Sequence, residues 1–242
     1  ISALPIRQTA RRTAPAAVAL VMVTSAALGA AGGLALLSTQ PIDNESQSGL
    51  ARAVEASSTE WKNETTMTNT RSKVATTTLN GELWVIGGYS GSSVDTVEKY
   101  DPDTETWTTM PSLPSVRDSA TAHTINGEIY VVGGDDDSSY YSTVFNYDPA
   151  TGSWSTVAPL PQAKSQHGGA VIDGKIYVTG GVTKGGSETA ESYVYDPSTD
   201  SWANISSMPT VRRDFAAVSV DGSLFAIGGY NGSTLATVER YD

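Results

Sequence analysis

The feature that most constrains this chain is a unit of about 47 residues that occurs four times in its C-terminal three quarters. In each unit a pair of glycines is followed by a Tyr-Asp pair, and in three units a tryptophan lies seven residues after that tyrosine. The glycine pairs are Gly87-Gly88, Gly133-Gly134, Gly180-Gly181 and Gly228-Gly229. Because these markers recur in a fixed order and at one period, the sequence predicts a repeat architecture.

Each unit is predicted to contain four short β-strands. In the second unit we expect strands over 119–125, 128–132 and 144–147, and a fourth strand that begins at Trp154. Asn126-Gly127 predicts a tight hairpin turn between the first two strands, because both residues accept positive φ. The glycine pair ends the second strand, at a point where the backbone turns sharply or no side chain fits.

A single four-stranded sheet of this size cannot bury both of its faces. Sheets that pack radially around an axis bury both, so the repeat predicts an all-β fold of the β-propeller type, built from four-stranded blades. Aromatic residues of the second strands are expected to fill the space between blades. They are Trp84, Tyr130, Tyr177 and Phe225.

The glycine pair, the later Tyr and Trp seven residues apart and the period near 47 resemble kelch repeats across residues 61–242. The stretch 231–242 is similar to the best-preserved part of that family's motif. The resemblance implies a kelch-type β-propeller, a fold used mainly for protein binding and in a few members for catalysis.

The repeat indicates about four blades, in a ring that is possibly incomplete. Residues 61–67 match residues 202–208 and predict a fourth strand without its first three, whereas the last unit has three strands and lacks its fourth. In one arrangement the N-terminal strand completes the last blade and closes a four-bladed ring. Kelch rings are usually larger, so we favour the interpretation that further blades follow and that the chain is a fragment.

One basic residue recurs ten residues before the hairpin glycine of every unit. The loop that carries it shares a face of the propeller with the loop between the second and third strands, because antiparallel strands alternate in direction. The sequence therefore predicts a basic ring near the channel mouth that binds carboxylates of a protein or other anionic ligand, as equivalent arginines do in the animal kelch proteins that the chain resembles. The alternative is a structural role in which these residues bind backbone carbonyls of a neighbouring blade. They are Arg71, Arg117, Lys164 and Arg212.

The loops between second and third strands differ from unit to unit, and variable loops on a rigid scaffold usually determine specificity. Four tyrosines in these loops are candidate contact residues: Tyr89, Tyr140, Tyr141 and Tyr230. The run of aspartates over 135–137 lacks the spacing of an EF-hand calcium loop, so we favour a solvated acidic loop over a calcium site. We predict no metal and no cofactor.

Composition argues against most classes of enzyme. The chain has no cysteine and two histidines, which excludes disulfides, Cys-ligated zinc, three-His metal sites and, for this stretch, the Tyr–Cys copper site of galactose-oxidase-like kelch enzymes. The net charge of −11 disfavours nucleic acid. We therefore predict a protein that is not an enzyme. A sialic-acid-epimerase-like sugar isomerase stays an alternative, because it needs no metal. Its candidate residues would be Arg117, Arg212, Asp118 and Asp214.

The N-terminal quarter has a different character. Residues 1–12 form a basic flank, 13–38 a transmembrane helix or signal segment with an apolar centre over 14–37, and 39–59 a polar linker before the propeller at 60–242. The basic flank should stay in the cytoplasm, which places the propeller outside. A cleaved signal peptide and a secreted protein are the alternative.

These observations predict a single-pass membrane protein with an extracytoplasmic kelch-repeat binding module. The module would dock a protein or other anionic ligand on one propeller face. Two alternatives are left open by the sequence. The propeller would be the sensor ectodomain of a larger membrane receptor, such as a bacterial Ser/Thr kinase, or the exported sugar isomerase named above.

Overall fold

The computed structural model describes residue 61 and residues 63–242, and its compact unit spans Asn63–Asp242. The basic flank, the transmembrane helix predicted around 14–37 and the linker lie outside the described residues. Within the described part, no helix is both long and apolar enough to cross a membrane. The described unit is all-β, as the repeat predicts.

The repeat units form antiparallel sheets in which the strands pair in chain order. The first blade consists of β1 (Ala75–Leu79), β2 (Glu82–Ile86), β3 (Val97–Asp101) and β4 (Thr106–Met110). The second consists of β5 (Thr121–Ile125), β6 (Glu128–Val132), β7 (Val144–Asp148) and β8 (Ser153–Val157). The third consists of β10 (Gly168–Ile172), β11 (Lys175–Thr179), β14 (Ser192–Asp196) and β15 (Ser201–Ile205).

The fourth blade has three strands among the described residues, in the order β16 (Ala216–Val220), β17 (Ser223–Ile227) and β18 (Val238–Tyr241). Three two-residue strands form a small separate sheet beside the third blade. They are β9 (Lys164–Ser165), β12 (Val182–Thr183) and β13 (Ser187–Glu188). The first strands of successive blades are neighbours, with β1 against β5, β5 against β10, and β10 against β16.

The predicted hairpin of the second unit is confirmed. Ile125 pairs with Glu128 across the turn, and Asn126 and Gly127 both have positive φ, 52° and 82°. This left-handed turn matches the right-handed twist of the strands that it joins. Strand β6 has four consecutive buried residues after Glu128, because both of its faces pack against other blades.

Aromatic side chains pack between blades, as the sequence predicts. The ring of Trp84 in the first blade lies 5.1 Å from that of Tyr147 in the second. Tyr130 and Tyr195 repeat this contact between the second and third blades, with centroids 5.7 Å apart. In each junction a second-strand aromatic meets a third-strand tyrosine of the next blade, so the repeat itself determines the core.

The glycine pair forms the backbone contact between blades. At Gly133 φ is 62°, and a Cβ there would lie 2.6 Å from the carbonyl oxygen of Lys164 in the third blade. The N–H of Gly134 donates to the same carbonyl at 3.0 Å. No side chain fits in that space, so glycine is required both by the left-handed backbone and by the approach of the next blade.

The first and third glycine pairs make the same contact. The N–H of Gly88 donates to the Arg117 carbonyl at 2.7 Å, and that of Gly181 donates to the Arg212 carbonyl at 2.8 Å. A second set of bonds runs from blade to blade beside the first strands. Its members are Ser119 N to Lys73 O at 3.0 Å, Gln166 N to Ser119 O at 3.0 Å, and Asp214 N to Gln166 O at 3.1 Å.

The arrangement in which a strand over 61–67 completes the last blade, which the sequence left open, is not found among the described residues. The described residues of this segment form no strand, and their hydrogen bonds go to the first blade. The Thr65 hydroxyl donates to the Glu105 carbonyl at 2.7 Å, and the indole of Trp107 donates to the Thr65 carbonyl at 2.8 Å. In the next two blades, Trp154 and Trp202 donate in the same way to the segment that follows the preceding blade. The segment therefore lies upstream of the first blade.

The role of the glycine pair can be tested with Gly133→Ala, for which Gly152→Ala is a matched control. Both glycines have nearly the same φ, 62° and 66°, but a Cβ at Gly152 meets nothing within 4 Å. Left-handed strain of about 1–2 kcal/mol is common to both variants. We expect Gly133→Ala to lower the free energy of unfolding by about 2 kcal/mol more than the control, because it also forces the blades apart. Urea unfolding measures this difference, and equal losses would contradict the assignment.

Candidate ligand-binding face

One face of the propeller carries the loops with the greatest sequence variation. We call it the loop face. It comprises the loops before each first strand, residues 71–74, 117–120, 164–167 and 212–215, and the loops between second and third strands, residues 87–96, 133–143, 180–191 and 228–237. Antiparallel bridges join the two sets, for example Ser72 with Tyr89, and Arg213 with Tyr230.

The four predicted ligand-binding residues begin these loops, but their side chains are buried. Lys164 and Arg212 are 0% exposed, Arg117 is 2% exposed, and the side chain of Arg71 is 0% exposed. The structure therefore does not show the solvent-facing basic ring that the sequence predicted. The backbone carbonyls of Arg117, Lys164 and Arg212 accept from the preceding blade, while all four side chains point into their own blade.

Two of these residues form ion pairs, of which the first is fully buried and the second has a glutamate that is 14% exposed. The guanidinium of Arg71 lies 2.7 Å from the Glu98 carboxylate and also donates to the Thr96 carbonyl at 2.8 Å. Arg212 lies 2.9 Å from Glu239 and donates to the Gly228 carbonyl at 2.8 Å. Burial lowers the pKa of Arg71, and the charge of Glu98 opposes that shift.

The other two cations lie against aromatic rings. The guanidinium carbon of Arg117 is 3.6 Å from the ring centroid of Tyr141 and 5.1 Å from that of Phe145. The Lys164 ammonium is 4.5 Å from the Tyr193 centroid, and burial lowers the pKa of Lys164 to about 8. The partner in all four blades is the second residue of the third strand. These partners are Glu98, Phe145, Tyr193 and Glu239.

The repeated partner position indicates a structural role. It differs from the structural alternative that the sequence raised, because the side chains bind groups of their own blade and not carbonyls of a neighbouring blade. A direct ligand contact by Arg71, Arg117, Lys164 or Arg212 stays a prediction, and burial disfavours it. The sugar-isomerase alternative also stays a prediction. Arg117 and Arg212 are packed inside different blades, and Asp214 is exposed.

The loop face instead presents two cations that the sequence reasoning had not selected as a pair. The Lys73 ammonium lies 5.0 Å from the Tyr89 centroid, and the Arg213 guanidinium lies 5.1 Å from the Tyr230 centroid. The Lys73 and Arg213 side chains are 44% and 33% exposed. The sequence does contain a signal for these pairs. Only in the first and fourth units does a tyrosine directly follow the glycine pair. In the same two units a second cation lies one or two residues after the buried basic residue.

The remaining candidate tyrosines lie on the loop face of the second blade. Tyr140 and Tyr141 are half-buried, and the hydroxyl of Tyr141 donates to Asp136 at 2.6 Å. That hydrogen bond raises the pKa of Tyr141 and is the largest of the contributions that lower the pKa of Asp136. The tyrosines are thus on the predicted face, and their contact with a ligand stays a prediction.

Three carboxylates of the second blade converge on the same face. Oxygens of Asp118, Asp135 and Asp137 all lie within 4.8 Å of one another. Hydroxyl groups already bind them, since Ser93 donates to Asp118 at 2.6 Å and Ser165 donates to Asp135. Burial raises the pKa of Asp135. The spacing would suffice for a metal ion, and the two serine hydroxyls together with the Lys73 ammonium, 3.5 Å from Asp118, offset part of the negative charge.

Comparison with known proteins identifies the family. The model of the KLHDC2/KLHL20/DRC7 Kelch-repeats domain matches residues 73–242. The chain belongs to the kelch-repeat family. This kelch domain also resembles a solved structure titled "Structure of YjhT", with a TM-score of 0.60 and 20% sequence identity over 66% of this chain and 59% of that one. The kelch chain thus spans 59% of the length of that structure, and the likeness supports the fold alone. A search of curated proteins by sequence found no match.

The buried ion pair of the first blade can be tested with Arg71→Met. This change leaves Glu98 buried without its partner, and we expect it to lower the free energy of unfolding by about 3–5 kcal/mol. The double variant Arg71→Met/Glu98→Leu should recover most of that loss, because no uncompensated charge is then buried. Urea unfolding measures both variants.

The matched control is Lys175→Met, which removes an ion pair of similar length, 2.8 Å, whose side chains are 44% and 30% exposed. An exposed pair contributes at most about 1 kcal/mol. A loss for Arg71→Met as small as that of the control, or a double variant no more stable than the single one, would contradict the structural role.

Proposed function

We propose that this kelch domain is an extracytoplasmic binding module that docks a protein segment, or another anionic ligand, on its loop face. Membership of the kelch family supports a protein-binding propeller in general. The observation that carries the proposal is the pair of exposed cations on tyrosine rings, Lys73 on Tyr89 and Arg213 on Tyr230. Tyrosine and arginine are among the side chains enriched at protein interfaces, and lysine is not.

The loops that carry these groups are held in place before any ligand binds. Tyr89 exchanges two backbone hydrogen bonds with Ser72, at 2.8 and 2.9 Å. Tyr230 does the same with Arg213, at 2.9 and 3.0 Å. Groups fixed in this way lose little conformational entropy on binding, which favours affinity.

The charges on the loop face would select the ligand. Lys73 belongs to the first blade and Arg213 to the fourth, and the acidic cluster of Asp118, Asp135 and Asp137 belongs to the second. Each cation already lies near a carboxylate, since Lys73 is 3.5 Å from Asp118 of the cluster and Arg213 is 3.4 Å from Glu188. A ligand carboxylate would be attracted to the solvent-exposed side of either cation and repelled over the cluster. The ligand that fits is a segment with spaced acidic residues, and a uniformly acidic chain fits less well.

Selection from a random peptide library displayed on phage tests this proposal. We expect the purified protein to enrich peptides with acidic residues. The double variant Lys73→Ala/Arg213→Ala should bind them about tenfold more weakly, a loss of about 1.4 kcal/mol, in fluorescence polarisation. Lys175→Ala removes an exposed lysine outside the loop face and should leave the affinity within about twofold. No enrichment, or equal affinity of all three proteins, would contradict the proposal.

The location outside the cytoplasm rests on the sequence. Three arginines precede an uncharged run of 30 residues over 13–42, which favours a cytoplasmic N-terminus. Protease added to intact cells that express the full chain should therefore cleave the propeller. Protection of the propeller until the cells are lysed would contradict this location.

A further inference from the structure

The outer strand of the third blade carries an exposed asparagine in the sequence pattern of a glycosylation site. Asn204 lies in β15, the last strand of its sheet, which pairs with β14 on one side. Ser206 follows two residues later and is also exposed. The pattern Asn-x-Ser/Thr, in which x is not proline, is the acceptor for N-linked glycans on the surface of exported proteins.

The same pattern occurs at the equivalent position of the segment before the first blade. Asn63 and Asn204 each follow a tryptophan by two residues, and Thr65 follows Asn63 by two in turn. Asn63 and Thr65 are both exposed.

The indole hydrogen bonds show that this equivalence holds in the structure. The tryptophan of each blade donates to a carbonyl that lies four residues after the tryptophan of the preceding unit. These pairs are Trp107 with Thr65, Trp154 with Pro111, and Trp202 with Ala158. The segment over 61–67 forms no strand, but Thr65 thus occupies the register of Pro111 and Ala158. Asn63 therefore lies at the register that Asn204 occupies in the third blade.

The asparagine and the hydroxyl group occur together at this register. The first and second blades have Thr109 and Thr156 in place of the asparagine, and both are exposed. Two residues later those blades have Pro111 and Ala158, neither of which carries a hydroxyl group. A merely solvated asparagine needs no hydroxyl group two residues away, whereas an acceptor site does. The joint occurrence favours a modification site.

Asparagines with a structural role lack the pattern. Asn146 is buried and donates to Glu128 at 3.0 Å. Asn80 and Asn126 occupy hairpin turns with φ of 53° and 52°, a conformation that asparagine accepts more readily than most residues. None of these three asparagines is followed two residues later by serine or threonine.

Two further copies of the pattern lie elsewhere in the chain. One, over 44–46, is outside the described residues. The other begins at Asn231, which is half-buried on the loop face directly after Tyr230. A glycan on Asn231 would stand beside the ligand-binding pair of Tyr230 and Arg213. Asn204 instead belongs to an outer strand and not to the loops of that face.

We propose that Asn63 and Asn204 are acceptor sites for N-linked glycans. This inference rests on the proposed location outside the cytoplasm, because the membrane-bound oligosaccharyltransferase works on that side of the membrane. The donor is an oligosaccharide joined through a diphosphate to a lipid. The asparagine amide nitrogen forms a bond to the first carbon of the sugar and loses one proton. The bond from that carbon to the diphosphate oxygen breaks, and the lipid diphosphate leaves with the electron pair.

A glycan on Asn204 would also protect an exposed sheet edge. The side of β15 that faces away from β14 has no strand partner in the described part of the chain. Such an edge is a template on which a strand of another chain can pair. A bulky, hydrated glycan on the edge strand would block that approach while leaving the loop face open.

Peptide mass spectrometry tests the two sites on the full chain expressed in cultured mammalian cells. Peptide-N-glycosidase in heavy-oxygen water converts each glycosylated asparagine into a labelled aspartate. We expect the label at residues 63 and 204. Thr65→Ala and Ser206→Ala should each abolish the label at their own site, although both asparagines remain. Thr65→Ser and Ser206→Thr should keep it, because they keep the hydroxyl group. A label that survives the alanine variants would overturn the inference.

A control site separates this inference from the proposed location. Thr104→Asn creates the pattern over 104–106, in an exposed turn of the first blade, and should be labelled as well. A label at residue 104 with none at residue 63 or none at residue 204 would overturn the inference and leave the location intact. The absence of label at all three residues would overturn both, because the propeller would then not reach the transferase.

Discussion

The contact between the glycine pair of one blade and a carbonyl of the next is the interaction on which the other features depend. It brings backbone against backbone, so it requires the missing Cβ at Gly87, Gly133 and Gly180. The contact also holds in place the residue that supplies the carbonyl. That residue is the first of the loop before the first strand, so the junction positions the exposed groups of that loop.

The same contact explains why a cation is buried at the start of each unit. In the second, third and fourth units its carbonyl faces the preceding blade, and its long side chain therefore extends into its own blade towards the third strand. The blades satisfy the charge in two ways, with a glutamate in the first and fourth and with aromatic rings in the second and third. A buried charge needs one of these partners, because desolvation without compensation costs several kcal/mol. All four units therefore have a cation at this position, whereas the group that it contacts differs from blade to blade.

Much of the fold could be predicted because its determinants are local. The glycine pairs, the hairpin at Asn126-Gly127 and the alternation of strands are encoded within each unit, and the aromatic contacts follow from stacking one unit on the next.

The direction of the basic side chains could not be predicted. A period shows that four residues are equivalent but does not show whether they point to solvent or inward. The exposed cation–tyrosine pairs were missed because Lys73 and Arg213 occupy different positions in their units. Whether residues 61–67 contact the first or the last blade could not be decided from the sequence, because a match to the repeat does not specify the blade that a segment contacts.

The most direct test of this account is native-state hydrogen exchange of the junction amides, resolved by NMR or by mass spectrometry of short peptides. If the glycine contact holds the blades together, the N–H groups of Gly88, Gly134 and Gly181 should exchange as slowly as those of the central strands, through unfolding of the whole propeller. Rapid exchange at these glycines, with the strands still protected, would contradict the account and would mean that side-chain packing alone joins the blades.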